Sequence, residues 1–345
     1  MRGLFLHLSP FAPDQSGVVS VLYEMGGLLV VCDAGGCTGN ICGFDEPRWK
    51  TKACALFSAG LRDMDAILGR DDRLVERTVA AAKDLNPAFV ALIGTPVPCV
   101  IGTDFTGIAR MAEKRLHCPV LPFDTTGTAL YDKGAAAAYL SLCKTFTSGP
   151  RKPVRGSLAV FGANPLDVGS HTDDLLHSLA RETKSEQIKL IGLGSGLDAL
   201  KAAPHCERVL VLAPSGLPAA RYLESVYGTP YTIGYPMTPP LLEALERVRT
   251  LRPKNILLIH QHVLAESLKA KILADTPETS VTCATFFSLL PGTDGLALSD
   301  EESFVRCVEK GAYDCVIGDA ALARAVAHRS AAWIDIPHFA VSSRD

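Results

Sequence analysis

Short apolar runs alternating with helix-patterned stretches along nearly the whole chain leave few folds open. Runs at 3–8, 27–32, 89–94 and 119–123 are separated by stretches of helical pattern at 16–25, 71–85, 103–115 and 131–143. A strand covered on both faces reads as a continuous apolar run, and a following helix carries the chain back to a parallel neighbour. A polar segment at 144–155 containing Pro and Gly breaks the series. A second series, 157–162, 187–192 and 208–213, closes on the Pro-rich stretch 235–240, and a third follows at 255–260, 281–286, 314–318 and 332–336. The expectation is an α/β protein of three Rossmann-like parallel-sheet domains, with residues 1–150 the first, 151–240 the second and 241–345 the third.

Composition narrows the partners. With 48% hydrophobic and 21% charged residues, the 345-residue chain has the material for several cores. Its 37 acidic and 34 basic residues nearly cancel and no basic run stands out, so no nucleic-acid partner is expected. No apolar stretch approaches the roughly 20 residues of a membrane span, so none is expected to meet a bilayer. The first apolar run meets Pro10 too soon for a signal-peptide core, and a cytoplasmic location is expected. There, 11 cysteines read as thiols or metal ligands rather than disulfides. Cys143, Cys206, Cys283, Cys307 and Cys315 stand in apolar surroundings and read as packing residues.

The densest chemistry follows the second apolar run, in Cys32-Asp-Ala-Gly-Gly-Cys37-Thr-Gly-Asn-Ile-Cys42-Gly-Phe-Asp-Glu-Pro-Arg-Trp49. Ligands of open α/β sheets bind just past the carboxyl ends of strands. Gly36, Gly39 and Gly43, with Gly35, strip side chains from this segment and let a bulky group approach the backbone. Cys37 and Cys42 are the candidate metal ligands, since thiolates in such a setting suit iron–sulfur ligation. A tight glycine-rich turn with incidental cysteines is the competing reading. Two sulfurs do not close a site, so further ligands must come from elsewhere, including a second chain.

Several segments together resemble the nitrogenase component 1 family, which includes nitrogenase molybdenum–iron subunits, their cofactor-assembly relatives and dark-operative protochlorophyllide reductase subunits. They are the strand leading to Gly-Gly-Cys37, Phe57-Ser-Ala-Gly-Leu-x-Asp-x-Asp-x-Ile-Leu-Gly69, Phe89-Val-Ala-Leu-Ile-Gly94 with Val100-Ile-Gly-Thr-Asp104, and Pro119-Val-Leu-Pro-Phe-Asp124. Gly162-Ala-Asn-Pro-Leu-Asp, Leu212-Ala-Pro-Ser-Gly-Leu and Tyr227-Gly-Thr-Pro230 follow in order. The resemblance implies three α/β domains per subunit, a homodimer or a paralogous second subunit, a [4Fe–4S] cluster at the subunit interface, and electrons from an ATP-hydrolysing reductase of the iron-protein type. It also implies three cysteine ligands per subunit. Cys37 matches the second. The segment Ser9–Ser16, where the first belongs, has no cysteine, and Cys99 stands three residues beyond Pro96, the place of the third. Two substitutes remain open: Cys42 beside Cys37, giving four thiolates from two chains, or Asp14 as a carboxylate ligand.

The function expected on this basis is a nitrogenase component 1-like iron–sulfur redox protein. The alternatives are a non-catalytic scaffold or carrier for a metallocluster or tetrapyrrole-like molecule, and a cluster-free binding protein. No G-x-x-x-x-G-K-[ST] segment occurs, so ATP hydrolysis is expected of a partner. Gly192-Leu-Gly194-Ser-Gly196 lacks the third glycine of a dinucleotide fingerprint and reads as a strand-to-helix turn. His260 and His262 end an apolar run and read as caps or as cleft residues, and His338 as a cleft residue or a surface histidine on a short tail. Glu46 and Arg48 beside Trp49 read as a pair or as a partner surface.

Overall fold

The computed structural model describes residues 5–169, 172–326 and 331–344. Three parallel sheets follow one another along the chain. The first holds β1 (Leu28–Val31), β2 (Ala55–Ser58), β3 (Val90–Ile93) and β4 (Val120–Phe123) in the order β2-β1-β3-β4. The second holds β5 (Val154–Phe161), β6 (Gln187–Leu190), β7 (Cys206–Val211) and β8 (Tyr231–Ile233) in the order β6-β5-β7-β8. The third holds β9 (Asn255–Ile259), β10 (Ser280–Thr285), β11 (Leu296–Ala297), β12 (Cys315–Gly318) and β13 (Ala332–Asp335) in the order β11-β10-β9-β12-β13. Central β1 and β3 are buried at every residue, as the unbroken apolar runs require.

The first and second sheets share one core. Val18, Leu22, Leu29 and Ile93 from one side and Phe161, Val209 and Leu223 from the other meet around Tyr139 and Leu142 of the helix Tyr131–Phe146. That helix packs on Asp14–Leu22, all of whose nine residues are buried. The two helices approach closely because Gly17 and Gly134 face each other's backbone, where a Cβ would strike Tyr131 O and Asp14 O respectively. Arg48 also ties the first sheet's surroundings to the second, donating to Ser20 O at 2.7 Å and to Gly192 O at 3.0 Å.

Two expectations need correction. The apolar run at 3–8 contains no strand over its described residues, 5–8. Its backbone donors go to a carboxylate instead: Leu6 N, His7 N and Leu8 N all donate to Glu301 at 2.9–3.0 Å, at the start of the helix Glu301–Lys310. The segment after β1 is not a loop. It is a continuous helical stretch, an α-helix over Gly36–Asn40 running into a π-helical turn over Ile41–Asp45, with Glu46 N donating to Ile41 O.

Candidate functional site

The cysteine-bearing helix is held at both ends. Gly35 turns the chain off β1 with φ +117°, a conformation that favours glycine. Asp33 then accepts from Thr38 N at 2.8 Å, from the Thr38 hydroxyl at 3.0 Å and from Ser58 at 2.6 Å, so one carboxylate caps the helix and fixes it to β2. At the far end Asp45 accepts from Asn40 at 2.9 Å and from Ser16 at 2.7 Å, bracing the π turn against the helix Asp14–Leu22. Between the braces, nothing lies within 4 Å of where a Cβ would stand on Gly36, Gly39 or Gly43. Glycine in a helix interior costs about 1 kcal/mol against alanine. Crowding within the chain does not explain that cost here; a backbone left open to an outside group does.

Cys37 and Cys42 are both partly exposed on this helix. Burial, then Asp33, pushes the Cys37 thiol up, while burial, Glu46 and Asp33 do so for Cys42. Both sulfurs are therefore neutral thiols without a cation, and an arriving metal ion meets acidic neighbours. Cys54, which sequence reasoning passed over, is a third thiol of this neighbourhood: burial, then Glu46, raises it to about 12, with a contribution from Cys42. Among the described residues no three His, Cys, Asp or Glu side chains are arranged to hold a metal ion. Asp14 is already engaged. Its oxygens accept from Gln15 N at 3.0 Å, Thr126 N at 2.9 Å and Gly127 N at 2.8 Å, fixing the turn after β4. Cys99 is exposed on the helix Pro96–Ile101, and Cys32 is buried and raised by burial to about 12. Of the packing cysteines, Cys143, Cys206, Cys283 and Cys315 are buried and Cys307 is partly so.

Glu46 and Arg48 pair with each other: Arg48 Nε meets Glu46 Oε1 at 2.7 Å, and its Nη1 meets Glu24 at 2.8 Å. The guanidinium also lies 4.7 Å from the Tyr23 ring centroid.

A cleft of ≈ 740 Å³ opens beside the cysteine helix. Asn40, Phe44 and Asp45 form part of one wall, and His7, Arg324 and Arg344 bring basic groups from other segments. Behind the chain's last segment lies a second group of residues from the carboxyl ends of all three sheets. Tyr131 donates its hydroxyl to Asp167 Oδ1 and lies 3.0 Å from His338 Nε2. His338 stacks on His260 at 4.3 Å between ring centroids. His260 accepts from Gln261 N at 2.8 Å and lies 3.2 Å from Pro337 O. Burial pushes Asp167 up to about 7 despite the Tyr131 hydrogen bond, and takes His338 down to about 4 and, with His338 adjoining, His260 down to about 3. His338 is thus a buried residue, 2% exposed, and not a surface histidine. His262 is a packing residue whose Nδ1 accepts from Leu290 N at 3.0 Å, and Gln261 caps the helix His262–Asp275.

A family model described as nitrogenase component 1 type oxidoreductase matches residues 16–248. The chain belongs to that family. A curated relative is the nitrogenase iron-molybdenum cofactor biosynthesis protein NifE of Bradyrhizobium diazoefficiens, 25% identical over 198 residues. That match takes in 54% of this chain and 34% of the relative, so the chain spans about a third of that protein. Two solved structures of nitrogenase Cp1, at pH 6.5 and pH 5, share the fold with TM-scores of 0.69 and 0.68 at 11% and 13% identity. They align with all of this chain and with 88% and 86% of their own. Proteins of the nitrogenase component 1 family bind metal clusters, and the Cys37 helix is the part of this chain whose donors fit one. Its two thiols, open glycine backbone and lack of a third protein ligand suit half of a four-thiolate site. No helix among the described residues is long and apolar enough to cross a membrane.

Proposed function

We propose that the chain is a redox subunit in which Cys37 and Cys42, joined by the same pair from a second copy or a paralogue, hold a [4Fe–4S] cluster beside a substrate cleft. The observation that carries this reading is that one helix presents both thiols and also lines the ≈ 740 Å³ cleft through Asn40, Phe44 and Asp45. When bound, the cluster would supply one-electron transfer, with the electrons coming from an ATP-hydrolysing reductase of the iron-protein type. The chain's own residues do the rest. Asp33, Asn40 and Asp45 fix the helix, and His7, Arg324 and Arg344 offer donors that orient an electron-rich, oxygen-bearing substrate. Exposed Phe44, together with Val97 and Val100 on the helix after β3, leaves apolar surface that a second subunit would cover.

The second reading, a scaffold or carrier for a metallocluster, is favoured by the cofactor-biosynthesis relative. Iron and sulfide analysis of anaerobically purified protein tests the cluster, with Cys37→Ala and Cys42→Ala each expected to remove it. Retained iron in both variants would refute the assignment. Reoxidation of the reduced cluster by a bound substrate supports the redox role, whereas release of intact cluster to an acceptor apoprotein supports the scaffold.

A further inference from the structure

Asp167 lies at the end of a separate cavity of ≈ 90 Å³ between the second and third sheets. Its side chain is 2% exposed; Oδ1 takes the Tyr131 hydroxyl, but buried Oδ2 has no hydrogen-bond partner. A carboxylate oxygen left bare in the interior is costly, and here it borders open space. The walls are mostly apolar, from Leu175, Leu241, Leu264 and Ile336, with the rings of Tyr235, His260 and Phe339 among them. Asp174 is the other acid of the lining. Arg344, its cation, is already paired with Asp319 at 3.1 Å and Asp335 at 3.0 Å.

We propose that this cavity is a ligand site for a small organic cation, a primary ammonium group on a short apolar body, anchored by Asp167 Oδ2. The ammonium satisfies the orphaned oxygen, the aromatic faces accept a cation, and the aliphatic walls take the hydrocarbon part. A carboxylate ligand would meet like charge, and a neutral one would leave the local excess of acid uncompensated. The groups that bear on Asp167 are consistent with this. Tyr131, Asp132 and Tyr139 face it from the helix Tyr131–Phe146, Tyr235 from the segment after β8, and His260 and His338 from the third sheet, with Asp319 acting on the two histidines. Both histidines are neutral near pH 7, so no cation among these groups competes. Binding a cation favours the ionised carboxylate. Affinity is therefore expected to rise with pH up to about 7, approaching tenfold per unit below it, and then to level off.

The test is ligand-observed NMR on the purified full chain, with propylammonium, propan-1-ol and propanoate as probes at pH 8 and pH 5.5. Propylammonium is expected to bind at pH 8 with a Kd on the order of millimolar, at least tenfold weaker at pH 5.5, with propanoate not binding. Asp167→Asn should weaken it at least tenfold. Thr238→Leu narrows the cavity from its lining without removing a helix-capping bond, since Thr238 makes none; it should also weaken binding, which keeps the test open if Asp167→Asn misfolds. Equal binding of propanoate, unchanged binding in either folded variant, or no propylammonium binding at pH 8 would overturn the proposal. The iron content of the Thr238→Leu protein should not change, so this site and the cysteine helix fail or succeed separately.

Discussion

The cysteine helix and the Asp167 junction sit at strand carboxyl ends of the same chain but are built on opposite terms. The helix is open, with three glycines that touch nothing and two thiols short of a ligand set. The junction is closed, with aromatic rings packed edge to face and stacked, and hydrogen bonds joining residues 36 and 207 positions apart in sequence. A site that is complete contributes to the stability of the chain that contains it. A site that is incomplete contributes only when something from outside arrives, and until then its sequence costs stability.

The largest expected effect separates the two directly. Tyr131→Ala removes a fully buried ring from the junction, and denaturant titration of metal-free protein should show a loss of about 3–5 kcal/mol. The pair Cys37→Ala with Cys42→Ala should change the same quantity by no more than about 1 kcal/mol while abolishing bound iron. A double cysteine variant as unstable as Tyr131→Ala would collapse the distinction.

A second effect is electrostatic. Because burial raises Asp167 to about 7, the folded chain holds a proton there that the unfolded chain gives up near pH 4, so this group's contribution to stability falls as pH rises from about 4 to about 7. His260 and His338, depressed to about 3 and 4, contribute the opposite slope: stability is lost as pH falls from about 6.5 toward those values. Asp167→Asn should leave only the histidine slope. The stability difference between variant and native chain should then grow by roughly 1.4 kcal/mol per pH unit from 4 to 7 and stay flat above. Parallel pH curves would place the raised carboxyl elsewhere.

The smallest effect is also the most specific to the helix. Gly39→Ala fills empty space in a helical conformation and should raise metal-free stability by about 0.5–1 kcal/mol. If the open backbone is there for a cluster, the same change should lower iron occupancy. Increased stability with full occupancy would mean the glycine has no such role.

Central strands were legible in the sequence because burial on both faces writes a continuous apolar run, as in Leu28–Val31 and Val90–Ile93. The strands that escaped, Ala55–Ser58, Tyr231–Ile233 and Leu296–Ala297, all lie at sheet edges, are four residues or fewer, and are wholly or partly exposed. At 5–8 an apolar composition suggested a strand, but Glu301 takes the backbone donors that a sheet neighbour would need. The cysteine segment announced itself because glycine and cysteine are rare company, although its helical form did not. Asp167 gave no such signal. In Asn-Pro-Leu-Asp-Val-Gly it reads as an ordinary acid in the first turn of a helix, and only the meeting of Tyr131, His260 and His338 in space makes it unusual.

Native mass spectrometry of anaerobically purified protein, with iron and sulfide determined on the same sample, tests the central claim most directly. The account predicts a dimer carrying one four-iron, four-sulfide cluster per two chains. It also predicts that Cys37→Ala or Cys42→Ala removes the cluster and weakens the dimer. A monomer that retains its full iron, or a dimer whose iron survives both substitutions, would contradict it.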